Sequence, residues 1–247
     1  MPRPVAARSG DLVVDVAGRR CDLLSWVAGS VLRPGRGLGL AGSRLLGEAL
    51  GRIHGFAERW SPPSAFDLPS WDADAFFTKA SPYRPRALRS TMSRDDWRLF
   101  QTVAEETRTV FSRLDGLPTT TGIIHADFIL LNCHFVRRGR GSSVGVIDFD
   151  DLGRGYFLYD LAPLLGNLAD FPGYRPRRDS FLAGYRSVRD LPVELEAYLP
   201  VLMAARHAAA CLWAAGIDRS EGAGVPVREH VSTRMELARA CLALATS

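Results

Sequence analysis

The run GIIHADFILLNCHFV at residues 122–136 constrains the fold more than any other part of the chain. Its apolar letters read as buried strand, yet His125, Asp127 and Asn132 interrupt them. A neutral polar group buried without a partner costs roughly 2–7 kcal/mol, and an ionised carboxylate costs more. The fold must therefore bring donors or a cation to these three residues from elsewhere. A second element, VGVIDFDD at 144–151, supplies company after the turn RRGRGSS, with Asp148 as its first carboxylate.

The rest of the chain frames this pair of elements. DLVVDVAGRRCDLLSWV at 11–27 reads as two short strands, 12–16 and 21–27, with a turn at Ala17–Gly18–Arg19. A Gly/Pro-rich connector, GSVLRPGRGLG, follows. Apolar residues at 46, 50, 53, 56/57 and 60 predict a helix over 45–60. After the loop SPPSAFDLPSWD, a second helix is predicted from Ser93, with Asp95 and Asp96 in its first turn. Strands are predicted at Gly122–Ile124, Cys133–Val136 and Val144–Asp148, then helices over about 158–170, 177–188, 193–215 and 227–245. LMAARHAAACLWAAG is apolar nearly all round and belongs in the core.

Composition sets outer bounds. The 247 residues, 47% apolar and 23% charged, suit a globular protein with a proper core. No run of eighteen apolar residues and no signal-peptide core are present, so neither a membrane span nor export is expected and the setting reads as cytoplasmic. Cys21, Cys133, Cys211 and Cys241 are scattered and read as reduced thiols. The chain has thirty arginines and one lysine, Lys79. The arginines at 175–189 read as a solvated helix start, not a nucleic-acid surface.

Two strands running back beside each other would set Asn132 and Asp148 within reach of one hard cation. Magnesium takes oxygen ligands, commonly one or two carboxylates completed by substrate phosphates and water. Asp127 would then face an acceptor.

The pieces HADFILLN and IDFDD resemble the catalytic loop and metal-binding element of the aminoglycoside phosphotransferase-like kinases, relatives of choline kinases and protein kinases. YDLA at 159–162, GYR at 184–186 and the run from LLSWVAGS to DLPSWD also resemble that family, so the likeness covers the chain from about Leu12 onward. The resemblance implies an α+β, protein-kinase-like C-lobe, mainly helical, with a small β-hairpin cluster at the active site. It implies transfer of the γ-phosphate of ATP or GTP to a small-molecule hydroxyl. Asp127 would accept or orient the hydroxyl proton, Asn132 and Asp148 would hold Mg²⁺, and His125 would brace the loop. Asp160 would tie the loop backbone. Adenine would meet the hinge backbone at Ser25, Trp26 and Val27. Asp150 and Asp151 are either substrate contacts or solvated loop carboxylates. His54 reads as a helix-surface or interface residue, His134 as a strand residue without a metal partner, His207 as a core or capping residue, and Trp26 and Trp60 as packing residues.

The sequence departs from the family pattern in two places. Ala126 stands where the family has Gly, a change expected to need only ordinary backbone angles, and FILL is expected to turn inward or line an apolar acceptor pocket. The family's Gly-rich hairpin, strand Lys and helix Glu have no counterpart before the hinge, and the few residues ahead of the first strand hold neither Gly-x-Gly nor Lys. Residues 1–30 are therefore expected to be a remnant N-lobe hairpin with the hinge, and 31–247 the C-lobe. With no lid, feeble or no transfer is expected from this chain alone. A mis-called start, a split or truncated gene, and a catalytically silent binding or interaction remnant all fit that pattern. The exposed hairpin edge would suit a homodimer or a missing N-lobe partner.

Overall fold

The computed structural model describes residues 1–32, 37–63, 66–85, 88–138, 141–169, 171–216 and 226–244. Parts of the predicted connector (33–36), proline-rich loop (64–65) and 137–143 turn (139–140), with the last residues of two predicted helices (170 and 245), lie outside them.

Strands β1 (Val13–Val16) and β2 (Arg19–Asp22) form an antiparallel hairpin. Ala17 and Gly18 both have positive φ, at 54° and 77°, as a two-residue turn matched to strand twist requires. Every hairpin residue except Val14 is exposed. Strand β3 (Ser30–Val31) then leads to helix α1 (Leu40–Ala57), which starts five residues before the predicted point. Its buried face carries Leu46, Leu50 and His54.

Strand β4 (Ser70–Trp71) and helices α2 (Ala73–Phe77) and α3 (Leu88–Thr91) precede the long helix α4 (Arg94–Asp115). Helix α4 begins where its cap dictates: the Ser93 hydroxyl accepts from the Asp96 N–H at 3.0 Å. Its buried stripe (Phe100, Val103, Ala104, Thr107, Val110, Phe111 and Leu114) is the predicted one apart from Trp97, which is half-buried. Strands β5 (Thr121–Ile124), β6 (Cys133–Arg138), β7 (Gly141–Val146) and β8 (Gly153–Tyr156) come next. The predicted 158–170 helix is two pieces, α5 (Phe157–Asp160) and α6 (Ala162–Ala169), with Leu161 between. Helix α7 (Tyr174–Arg186) lies against α1 so closely that a Cβ on Gly184 would sit 2.0 Å from the Arg44 carbonyl oxygen. The predicted 193–215 helix opens as a 3₁₀ turn at Val193–Tyr198 and continues as α8 (Leu199–Gly216); α9 (Val227–Ala243) closes the order.

The 193–216 segment is long and apolar enough to cross a membrane, yet 67% of its most apolar window is buried inside the protein. It is the core helix its composition predicts, with Leu202, Met203, Ala204, Ala205, Ala208 and Cys211 fully or almost fully enclosed.

The arginines of 175–189 are not a solvated helix start. The Arg177 Nε donates to the Leu38 carbonyl at 3.0 Å, Arg178 and Arg186 both pair with Glu196, and Arg189 pairs with Glu58 at 2.6 Å and donates to the Thr119 carbonyl. These side chains tie α7 to α1, to the 3₁₀ turn and to the α4–β5 loop. Periodicity along α7 cannot reveal this, because every one of these acceptors lies in another segment of the chain.

Two three-stranded sheets set the site. One is β3–β6–β7, antiparallel throughout; the other is β4–β8–β5, with β4 parallel and β5 antiparallel to β8. Residues 125–132 cross from β5 to β6, and residues 147–152 cross back from β7 to β8. Both crossings start and finish at paired positions, Ile124 opposite Gly153 and Cys133 opposite Val146. The two polar segments therefore lie alongside each other.

Candidate active site

Backbone and ring hydrogen bonds fasten the two crossings together. The Ile147 N–H donates to the Asn132 carbonyl at 3.0 Å, and the His125 Nε2–H donates to the Ile147 carbonyl at 3.0 Å. His125 is fully enclosed, its Nδ1 has no partner among the described residues, and its ring packs on Phe149 at 4.6 Å. It is a brace between the crossings.

Asp160, also fully buried, ties down the loop from below. One carboxylate oxygen accepts from the Ala126 N–H at 2.7 Å; the other accepts from the His125 N–H at 2.8 Å and the His54 Nε2–H at 2.9 Å. Burial, the largest influence, lowers the His54 pKa below its ordinary value despite the raising effect of Asp160. His54 is accordingly a neutral donor whose Nδ1 accepts from the Tyr185 hydroxyl at 2.8 Å. The helix-surface expectation for His54 is wrong: the ring is fully buried, because its carboxylate partner arrives from 106 residues away.

Ala126 has φ +64°, and so does Asp148. The expectation of ordinary angles at Ala126 is therefore overturned. A left-handed non-glycine residue costs roughly 1–2 kcal/mol, which the Asp160 carboxylate offsets by accepting from the His125 and Ala126 N–H groups. Phe128 and Leu130 turn fully inward as expected, whereas Leu131 is exposed.

Asp127 is half-exposed and clamped on both oxygens. Its Oδ2 accepts from the Asn132 Nδ2 at 3.0 Å, and the same amide group donates to the Asp127 carbonyl at 2.9 Å. Its Oδ1 is paired with the guanidinium of Arg206, on α8. With its NH2 group spent on Asp127, Asn132 keeps its amide oxygen as a ligand. Asp148 follows Ile147 directly and is exposed. An amide oxygen and an exposed carboxylate fit Mg²⁺, which draws much of its shell from phosphates and water. Among the described residues no group of three or more His, Cys, Asp or Glu side chains is placed to hold a metal ion.

Asp150 is exposed, while Asp151 is half-buried. The Asp151 carboxylate accepts from the Tyr83 hydroxyl at 3.0 Å and its carbonyl accepts from the Trp71 Nε1–H at 2.7 Å. Burial raises the Asp151 pKa, with Asp127 and Asp148 pushing the same way and the Tyr83 bond opposing. The carboxylates thus share one field.

At the expected hinge, the Ser25 N–H donates to the Arg3 carbonyl at 2.8 Å and the Ser25 hydroxyl accepts from the Arg3 N–H at 2.8 Å. The Ser25 N–H and hydroxyl are thus engaged by the first residues of the chain. Trp26 is 87% exposed and does not pack, whereas Trp60 is half-buried and stacks with Phe56. His134 is half-buried, and His207 is a core residue.

Arg206, Tyr83 and Trp71 were not legible as site residues. For Arg206 a signal existed: a guanidinium inside an otherwise apolar helix is costly enough to demand a partner.

Comparison with known proteins bears on the family and the fold. The model of the phosphotransferase enzyme family matches residues 1–198. A homoserine kinase of Methylobacterium nodulans is 31% identical over 211 residues, covering 81% of this chain and 59% of the relative. A homoserine kinase of Mesorhizobium japonicum is 30% identical over 217 residues, with the same coverage. The chain thus spans about 59% of the length of these relatives. Among solved structures, a microcompartment-associated aminopropanol kinase superimposes with a TM-score of 0.77 at 26% identity, covering 99% of this chain and 74% of that one. A choline/ethanolamine kinase family protein from Mesorhizobium loti shares the fold, with a TM-score of 0.64 at 16% identity over 98% of this chain and 72% of that one. The kinase-like α+β architecture and the match over most of the chain lead to one conclusion: this chain belongs to the phosphotransferase enzyme family.

Proposed function

We propose that the chain carries the acceptor and metal side of a small-molecule kinase, which moves the γ-phosphate of ATP or GTP to an alcohol in the cytoplasm. The observation that carries this is the contact of Asp127 with Asn132 at 3.0 Å, beside the backbone bond that brings up Asp148. In this reading the acceptor oxygen bonds to the γ-phosphorus as the bond from that phosphorus to the bridging oxygen breaks. The nucleoside diphosphate leaves and the hydroxyl proton passes to Asp127. Asn132 and Asp148 would hold Mg²⁺, which supplies charge neutralisation at the phosphates. Positioning and electrostatics dominate such transfers, which suits a carboxylate oriented by the Asn132 amide.

Homoserine and small amino alcohols are the acceptors to try first, because the similar proteins above are kinases named for homoserine and aminopropanol. Among the described residues the groups facing the site come from the C-lobe side. Turnover by these 247 residues alone is expected to be slow, and to rise when a phosphate-covering hairpin is joined to them.

The test is mass-spectrometric detection of the phosphate ester after long incubation with Mg·ATP and each alcohol. Asp127→Asn should lower the rate about 10²–10⁴-fold, the usual worth of a general base. Ester formation undiminished in that variant contradicts the assignment.

A further inference from the structure

Resting on that proposed reaction, we infer that the acceptor carries a carboxylate and that Arg206 is its anchor, an ion pair that the acceptor takes over from Asp127. Three observations lead there. First, the Arg206–Asp127 pair has no evident structural need. Helix α8 is otherwise a core helix, and a buried ion pair is commonly no more stabilising than an apolar pair of similar size. Second, the pair works against the reaction as it stands. A guanidinium on Oδ1 and an amide on Oδ2 draw electron density from the carboxylate that must meet the acceptor proton. An arginine there earns its place only when it acquires another anion. Third, Arg206 borders a cavity of about 450 Å³ between the catalytic loop and helices α6, α8 and α9. Its wall includes Ile129, Leu131, Asn167, His207 and Arg234, and no aspartate or glutamate. The amide oxygen of Asn167 accepts from the Leu130 N–H at 2.9 Å, which leaves the Asn167 N–H donors for a ligand.

The cavity lining carries Arg206 and Arg234 and no acid, which favours an anion there, while Asp127 and Asp151 also act on Arg206. The planar guanidinium matches a carboxylate through two parallel hydrogen bonds, geometry that a lysine does not offer. Before binding, Asp127 and Arg206 neutralise each other. When an acceptor carboxylate engages Arg206, Asp127 regains an oxygen for the hydroxyl of the same molecule. Binding of the correct acceptor therefore releases the base, and an alcohol lacking the carboxylate meets a base still held.

L-homoserine and 3-amino-1-propanol, which differ by that carboxylate, are the probes. Acceptor binding is measured by titration calorimetry with Mg²⁺ and a non-hydrolysable ATP analogue, and ester formation by mass spectrometry with Mg·ATP. The full chain should prefer homoserine at least tenfold. Arg206→Met should raise the homoserine KM by tenfold or more and abolish the preference between the two alcohols. Arg206→Lys should retain charge attraction but less of the preference; it carries the test if the Met variant fails to fold. Equal loss of kcat for both alcohols in either variant, with KM unchanged, makes Arg206 a positioning residue for Asp127 and overturns the inference while sparing the kinase reading. A full chain that favours 3-amino-1-propanol also overturns it alone. Ester formation from neither probe nor any other alcohol tried overturns the kinase reading, and the inference falls with it.

Discussion

Asp160→Asn removes one charge and almost no volume from a fully buried position, so its effect reads the tether of the catalytic loop directly. The carboxylate accepts three hydrogen bonds, from the His125 and Ala126 N–H groups and from His54 Nε2. An asparagine keeps one oxygen. If that oxygen takes the place shared by His125 and His54, the new NH2 faces the Ala126 N–H, donor against donor. One charge-assisted bond is lost, worth about 1.5–3 kcal/mol, and a buried N–H is left unpaired at a further cost of about 1–3 kcal/mol. The other orientation forfeits two bonds and is worse. The expected destabilisation is therefore about 2.5–6 kcal/mol, a large part of a typical total of about 5–15 kcal/mol. At about 2–4 °C per kcal/mol for a chain of this size, Tm should fall by roughly 5–24 °C. Urea unfolding followed by circular dichroism measures the loss, and hydrogen exchange at residues 125–127 locates it. A loss below about 1 kcal/mol, or unchanged protection at the His125 and Ala126 amides, refutes the tether.

Two further outcomes test separate parts of the site. Ala126→Gly should stabilise the chain by up to about 1 kcal/mol, because a glycine takes φ +64° without the roughly 1–2 kcal/mol penalty, less its greater freedom when unfolded; a clear loss in urea unfolding contradicts strain at this residue. Stability should also fall with acidification: burial, then Arg234 and Arg206, depress His207 to about 3, and burial depresses His54. Unfolded imidazoles bind a proton below about 6.5 that the folded ones refuse, so each costs about 1.4 kcal/mol per pH unit from there down toward its folded value. Between pH 7.5 and 5.5 His207 should remove about 1.4 kcal/mol, with His54 acting in the same direction, and His207→Gln should abolish the His207 share. Stability that is flat or rising on acidification excludes neutral buried histidines.

The sequence made the site legible wherever local chemistry decided it. The spacing of His125, Asp127 and Asn132 survives because one short crossing between two sheets holds all three. Ser93 caps α4 and Ala17–Gly18 turns the first hairpin through groups within a few residues of each other. What stayed hidden depended on distant partners. Nothing near His54 announces Asp160, and nothing near Arg178 announces Glu196. Ala126 looked tolerable in sequence because strain is a property of the backbone path, which Asp160 imposes from the end of α5. Arg206 was masked by the apolar residues around it, although its isolation in that company was itself the clue.

The central claim is that Asn132 and Asp148 form half of a magnesium–nucleotide site beside Asp127. Titration of the full chain with ATP and GTP, with and without Mg²⁺, tests it most directly when repeated on Asp148→Ala. Saturable nucleotide binding that requires Mg²⁺ and disappears in the variant is the expected result. No binding at all, or binding indifferent to Mg²⁺ and to Asp148, contradicts the claim.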